Sequence, residues 1–468
     1  MSLGDGAASV GAVALLLAAG MGLSRWLRPQ AGFGPEVFGL AFATGAAWLA
    51  SGLCLWEAIL PPARLAVILL PAAAAGLLVL PSRSRPAGPG AAEWLGFLPA
   101  AAVALFSLWL AAQRPVWNVD AQMRWMLHGQ WLHEYGTALP ERVQDPSWAP
   151  AHPAYPPLVP AVIALALGLG SDRDFGVRLL FPWFLLAMLG IVYGYARRRA
   201  PRAAPWLTLA FALTPCLAYL PRYLREPGAP ATTGLGSDDP MADVPLSLML
   251  TATSVVFLDL LAEPRRRTAL LCALLGAGAA LTKQEGMAFA PLMLLTGLVA
   301  CAITKQRERV AGAAIAFAGA AGAAVLWKLL SARMPVMPGE DYVGAGISAV
   351  FSHLDRLPAV LGRLATEMTS FALWGPLWLV PPLWLAVALV RRRLLSLPQL
   401  LPALWLLLAL GLIVAAFLAT GWRDGSYAWL MDVSLTRLLI HHAPLCALLA
   451  AQLPELARAQ RGLPRPVD

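Results

Sequence analysis

Pro156-Pro157-Leu158-Val159-Pro160-Ala161-Val162-Ile163-Ala164-Leu165-Ala166-Leu167-Gly168-Leu169-Gly170 is the run on which the topology of this 468-residue chain turns. It is apolar enough to enter a bilayer, yet it is short for a crossing and opens with three prolines. Counted as a crossing, it would put Arg197-Arg198-Arg199 and every later basic cluster on the outer side. Left out, it lets all the short basic connections share the cytoplasmic side, as the positive-inside bias requires. We therefore read it as a helix lying at, or dipping into, the outer interface.

The rest of the chain explains why topology is the first question. Hydrophobic residues make up 59% of it and charged residues only 13%, against roughly a quarter charged in a soluble domain. Apolar runs lie at about 7–24, 36–56, 62–80, 94–112, 179–196, 203–220, 245–262, 268–282, 286–303, 310–330, 369–390, 397–420 and 434–453. Thirteen crossings satisfy the charge alternation, with the N-terminus outside and the C-terminus cytoplasmic. The expected fold is an all-α integral membrane bundle with an exoplasmic loop of juxtamembrane helices. It divides into N-terminal accessory helices (1–93), a module holding the first exoplasmic loop 113–178 (94–330), and C-terminal helices with the exoplasmic loop 332–368 (331–468).

The net charge of +9 does not indicate nucleic acid, because the arginines cluster at the ends of apolar runs as topology determinants do. Cys54, Cys216, Cys272, Cys301 and Cys446 all lie inside apolar runs without C-x-x-C spacing and read as small buried hydrophobes. Met1 to Gly6 has no basic n-region, so the first span reads as retained. Nor is there a glycine-rich phosphate loop, an H-E-x-x-H or a G-x-S-x-G, which weighs against ATPase, metalloprotease and serine-hydrolase chemistry.

The polar material collects in the exoplasmic loops. Residues 113–155 hold Asp120, Arg124, His128, His133, Glu134, Glu141, Arg142, Asp145 and His152 among Trp117, Trp125, Trp131, Tyr135, Trp148 and Tyr155. From 120 to 135 the pattern predicts an amphipathic helix, with Trp125, Met126 and Leu132 toward lipid and Asp120, Arg124 and His128 at four-residue spacing. Asp120 stands where the chain leaves the bilayer, suited either to a general base or to capping the helix that follows. Asp243 opens another span. It reads as a helix cap with Pro245 near the first turn, or as a group that positions an acceptor or holds a cation.

Lys283, Gln284 and Glu285 separate two apolar runs with almost no loop. A lysine there is costly, so it marks either a tight turn or a site, with Glu285 or a lipid phosphate as partner. Arg423 and Arg437 crowd the mouth of the last span, Arg437 about one turn inside it. Its partner is a phosphate, Asp432 or interfacial lipid. His441 and His442 read as packed polar residues, and no spacing resembles a metal site.

In order, these signatures are Asp120, a Trp-rich helix, His152-Pro153-Ala154-Tyr155-Pro156-Pro157-Leu158, Ala242-Asp243-Val244-Pro245-Leu246, Leu281-Thr282-Lys283-Gln284-Glu285-Gly286, and Ser434-Leu435-Thr436-Arg437-Leu438-Leu439. Together the chain from roughly 94 to 453 resembles the bacterial membrane glycosyltransferases of the GT-C class, related to protein O-mannosyltransferases and to the aminoarabinose transferase acting on lipid A. The resemblance implies a polyprenyl-phosphate-linked sugar as donor, bound from the outer leaflet of the bacterial inner membrane, and inverting transfer to an acceptor that the residues do not name. It makes Asp120 the base or acceptor-orienting aspartate and Asp243 the acid of the second loop. It puts Lys283, Glu285, Arg124, Arg423 and Arg437 around the donor phosphate, with His152 and Tyr155 packed beside them. No cofactor is required, although a divalent cation can replace one basic residue.

The sequence departs from that family in places. Ala121 and Gln122 follow Asp120 where mannosyltransferases carry an Asp-Glu pair, leaving Glu134 and Asp145 as candidates for the second acid. Three accessory spans also precede the module. The competing reading is a transporter or flippase for a lipid-linked saccharide, which predicts ionisable groups near the bilayer midplane and an internal repeat.

Overall fold

Apolar length and helix length do not coincide in every expected run. In a computed structural model the chain is helical, with no strand among the described residues, which are 3–27, 33–78, 91–113, 116, 120–171, 175–217, 241–336, 348–391, 395–421 and 424–458. Nine helices among them are long and apolar enough to cross a membrane. They are α1 (Leu3–Leu27), α2 (Pro35–Ile59), α4 (Ala91–Ala112), α7 (Phe181–Arg199, with the 3-10 turn Val177–Leu180 before it), α9 (Asp243–Ala262), α11 (Gln284–Ile303), α12 (Arg307–Leu330), α16 (Leu397–Ala419) and α17 (Asp424–Arg458).

The other four expected runs form shorter helices. Residues 62–80 yield α3 (Ala66–Gly76), which has Pro71 inside it. Residues 203–220 yield α8 (Ala204–Ala212), and 268–282 yield α10 (Arg266–Ala280). Residues 369–390 break into α14 (Phe371–Trp374), a 3-10 turn and α15 (Val380–Val390), with Gly375 at φ 54° and Pro376 at the break. Between these lie α5 (Leu127–Tyr135), α6 (Leu158–Gly168) and the amphipathic α13 (Leu357–Thr369).

Helix ends fall alternately on two faces of the bundle. On one face Arg198, at the end of α7, pairs with Glu36 at the start of α2 and with Asp259 near the end of α9; Arg197 pairs with Glu93 at the start of α4. On the other face Glu57, near the end of α2, accepts from Thr137 Oγ1 at 2.9 Å and Ala138 N at 2.6 Å. There too Trp327 Nε1, near the end of α12, donates to Ala154 O at 2.9 Å, and Arg356 Nη1 reaches Thr420 O beyond α16 at 3.1 Å. Helix α10 has only 15 residues, about 22 Å of rise. It nevertheless joins the two faces, because Lys283 just past its end meets Asp243 at the start of α9.

The run 156–170 forms a short helix, α6, that is enclosed by protein: Leu158 to Ala166 are all buried. Helices α1, α2, α3 and α5 pack around it, and Leu158 N donates to Leu281 O at 2.8 Å. A helix apolar on every side is satisfied inside protein as well as inside lipid. The same packing corrects the helix after Asp120. Trp125, Met126 and Leu132 are buried in the protein core, not turned to lipid, since α5 lies against α6. All five cysteines are buried and free.

Candidate functional site

The chain emerging from α4 enters α5 through a widened π-helical turn, Ala121–Met126, a local bulge common at functional positions. Gln122 Nε2 ties this turn back to Val116 O at 2.7 Å. Asp120 itself has helical angles, φ −60° and ψ −41°, and makes no capping bond. Its carboxylate instead accepts from Arg437 Nη1 at 2.7 Å, with Arg124 Nε at 3.7 Å one turn along its own helix. The capping alternative is thereby removed.

Asp243 is likewise not a cap; Ala242 holds that position. Its Oδ1 accepts from Lys283 Nζ at 2.9 Å and His441 Nε2 at 2.8 Å, and its Oδ2 accepts from Arg437 Nε at 3.0 Å. Lys283 Nζ also contacts Glu285 Oε1 at 3.0 Å. The turn that presents Lys283 is tight because α10 and α11 touch there. A Cβ at Gly286 would run into the carbonyl oxygen of Ala279.

One continuous cluster therefore joins Asp120, Arg124, Asp243, Lys283, Glu285, Arg437 and His441 on one face of the bundle. Three carboxylates face three permanent cations in it. Exposure falls along it, from 29% at Asp120 through 15% at Arg437 to 6% at Asp243 and 0% at His441. Burial works against the charge on Asp120, but Arg437 and Arg124 outweigh it and hold the carboxyl below its usual range.

Two expectations about α17 change. It begins ten residues before the expected run 434–453, and its first turns stand above the cluster, packed on α13. Arg363 Nη2 holds Asp432 Oδ1 at 2.8 Å, and Thr436 bonds the buried Glu367. Asp432 is thus taken by Arg363, and Arg437 lies about three turns inside the span Tyr427–Pro454. Arg423 lies outside the described residues.

His152 and Tyr155 form a wall beside Asp120. Tyr155 packs on Trp125 with ring centroids 5.3 Å apart and on His152 at 4.9 Å. His152 adopts a left-handed conformation, φ 52°, at the end of the 3-10 turn Pro146–Ala151. Burial first, and then Arg124, push its pKa down to about 3. Burial likewise takes His128 down to about 4, although its Nε2 bonds Ala151 O at 2.9 Å.

The residue that sequence reasoning missed is His441. Its signal was its position one turn beyond Arg437 on the same helix, which puts both on the Asp243 carboxylate. Its Nδ1 and the Nε1 of Trp125 are buried with no hydrogen-bond partner among the described residues. Among those residues no group of three or more His, Cys, Asp or Glu side chains is disposed to hold a metal ion; Lys283 and Arg437 occupy the carboxylates instead. No protein-family model, characterised protein or solved structure matches the chain.

Proposed function

We propose that this chain is a membrane glycosyltransferase of the GT-C kind, moving a sugar from a polyprenyl-phosphate carrier to an acceptor at the exoplasmic face with inversion. The observation that carries the reading is the cluster itself. A partly exposed carboxylate and three cations sit at one rim of an otherwise apolar helical bundle. Burying such charges is expensive, and displacement of a lipid phosphate uses both kinds: a base for the acceptor hydroxyl and cations for the leaving anion.

Roles follow from exposure and occupancy. Asp120, the more open acid, takes the acceptor proton. Asp243, with three donors on its two oxygens, is the holder that aims Lys283 and Arg437 at the phosphate. Tyr155, half-buried and backed by the buried Trp125, supplies an aromatic wall for the sugar or acceptor. In this reading the chain crosses the bacterial inner membrane thirteen times, an arrangement with which the alternation of helix ends agrees, α3, α8 and α10 being short crossings and α14–α15 a broken one. The cluster then faces outward and the C-terminus lies in the cytoplasm.

The test is Asp120→Asn assayed in membranes for sugar transfer from a lipid-linked donor. Turnover should fall by about 10²–10⁴-fold with insertion unchanged. Full activity would remove Asp120 as base and with it the enzyme as drawn here.

A further inference from the structure

In the structure the proposed base is already occupied. Arg437 bridges the two aspartates, Nη1 on Asp120 Oδ2 at 2.7 Å and Nε on Asp243 Oδ2 at 3.0 Å. A carboxylate in an ion pair is a weak base, and a cation that already has a carboxylate is a poor anion site. Among the described residues the cluster has no spare positive charge to offer, because Lys283 is shared by Asp243 and Glu285, and Arg124 stands against Asp120. As drawn, it can neither deprotonate an acceptor nor grip a phosphate.

The two ends of the bridge differ. The Asp243 end is 6% exposed and is held by Lys283 and His441 as well. The Asp120 end is 29% exposed and sits on the widened turn. Guanidinium has five N–H donors in a fixed fork. With Nε kept on Asp243, the Nη1–Nη2 edge is the geometry that takes two phosphate oxygens side by side. A phosphate arriving from the open side therefore meets the edge that Asp120 occupies.

We infer that Arg437 is an exchangeable bridge: the donor's phosphate displaces Asp120 from its Nη edge, so that gripping the donor and freeing the base are one event. This rests on the glycosyl-transfer reading and orders it, donor before acceptor. With the phosphate on Arg437, Asp120 accepts the acceptor's hydroxyl proton, and the acceptor oxygen bonds to the anomeric carbon. The bond from that carbon to the phosphate oxygen breaks, its electron pair staying on the phosphate beside Arg437. When the polyprenyl phosphate departs, Arg437 returns to Asp120 once the acquired proton has left to solvent. Without donor, the base stays masked.

The full-length protein in lipid nanodiscs tests this by carboxyl labelling with a carbodiimide and an amine, read by peptide mass spectrometry. It is run without ligand, with polyprenyl monophosphate and with inorganic phosphate, and lipid binding is measured separately by tryptophan fluorescence. Labelling at Asp120 should rise by about tenfold with the lipid, while Asp243 stays protected and the exposed Asp432 stays constant. Arg437→Gln should label Asp120 at the high level without ligand and bind the lipid about tenfold or more weakly. The wild-type arms stand alone should that variant fold poorly. Release by inorganic phosphate at the same concentration supports the exchange and makes a free anion its source; release by lipid alone assigns it to the headgroup. Lipid binding with Asp120 still protected overturns the exchange and leaves the transfer reading in place. A wild-type protein that binds neither probe overturns both.

Discussion

Helix α9 carries an acid near each end, and the two live in different worlds. Asp259 meets Arg198 at 3.5 Å in a group that also includes Glu36, with side chains 18–41% exposed. Asp243 meets Lys283, Arg437 and His441 with its own side chain 6% exposed. Exposed pairs of the first kind contribute about 0–1 kcal/mol. They do what the basic connections do throughout the chain, which is to keep one rim wet and positively flanked. Each buried ion of the second kind costs several kcal/mol to desolvate, so apolar side chains would hold the helices at least as well. A protein built only to stay in a membrane has no use for the second arrangement, and this is the physical reason to look for chemistry at that rim.

The contrast breaks most readily at α9 itself. Asp243→Asn leaves Lys283 and Arg437 facing each other with half their acceptor charge gone, and should destabilise the detergent-solubilised protein by roughly 3–5 kcal/mol. Thermal unfolding reads this directly. If Asp259→Asn, made alongside it, costs as much, the two rims are not different in kind.

The loop that carries His128 and His152 should add a pH dependence that the opposite rim lacks. His128 and His152 have folded pKa values of about 4 and about 3 against 6.5 when unfolded. The unfolded loop therefore binds protons first as the pH drops, and stability is lost as pH falls from 6.5 through about 4. For the fully buried His128 the loss is on the order of 3 kcal/mol. Hydrogen exchange over Leu127–His152 should accelerate across that window, while exchange near Arg198 should not; a flat profile would mean the histidines are not held neutral.

A smaller effect sharpens the geometry. Gly286→Val forces a side chain into the Ala279 backbone and should cost about 1–3 kcal/mol, with Lys283 becoming reactive to amine reagents. Gly322→Ala, on α12 where nothing lies within 4 Å, should fall within about 0.5 kcal/mol of wild type. The smallest effect belongs to Arg198→Gln, about 1 kcal/mol or less and shrinking as salt is raised. A salt-independent loss would show that this group, too, is shielded from water.

Several pieces of this architecture were open to a reading of residues alone. Hydrocarbon thickness and the cost of charge in lipid make long apolar runs into helices and basic clusters into markers of one side. On the same ground Arg197-Arg198-Arg199 argued against counting 156–170 as a crossing. The pairing of Lys283 with Glu285 was likewise within reach, two residues apart. Arg437 was not: its partners lie 317 and 194 positions away, and the nearby Asp432, an obvious candidate, is held by Arg363.

What the chain determined by itself was thus everything governed by local rules against a uniform solvent: helical character, membrane residence, which termini gather acids and which gather bases. What only the tertiary structure decided was who neutralises whom. That α6 is wrapped in protein, that Trp125 faces a core instead of lipid, that Arg437 bridges Asp120 and Asp243, and that Lys283 and His441 both meet Asp243 all depend on which helices become neighbours. Electrostatic partnership is a matter of distance and dielectric in space, and neither is written in the spacing of residues along a strand of sequence.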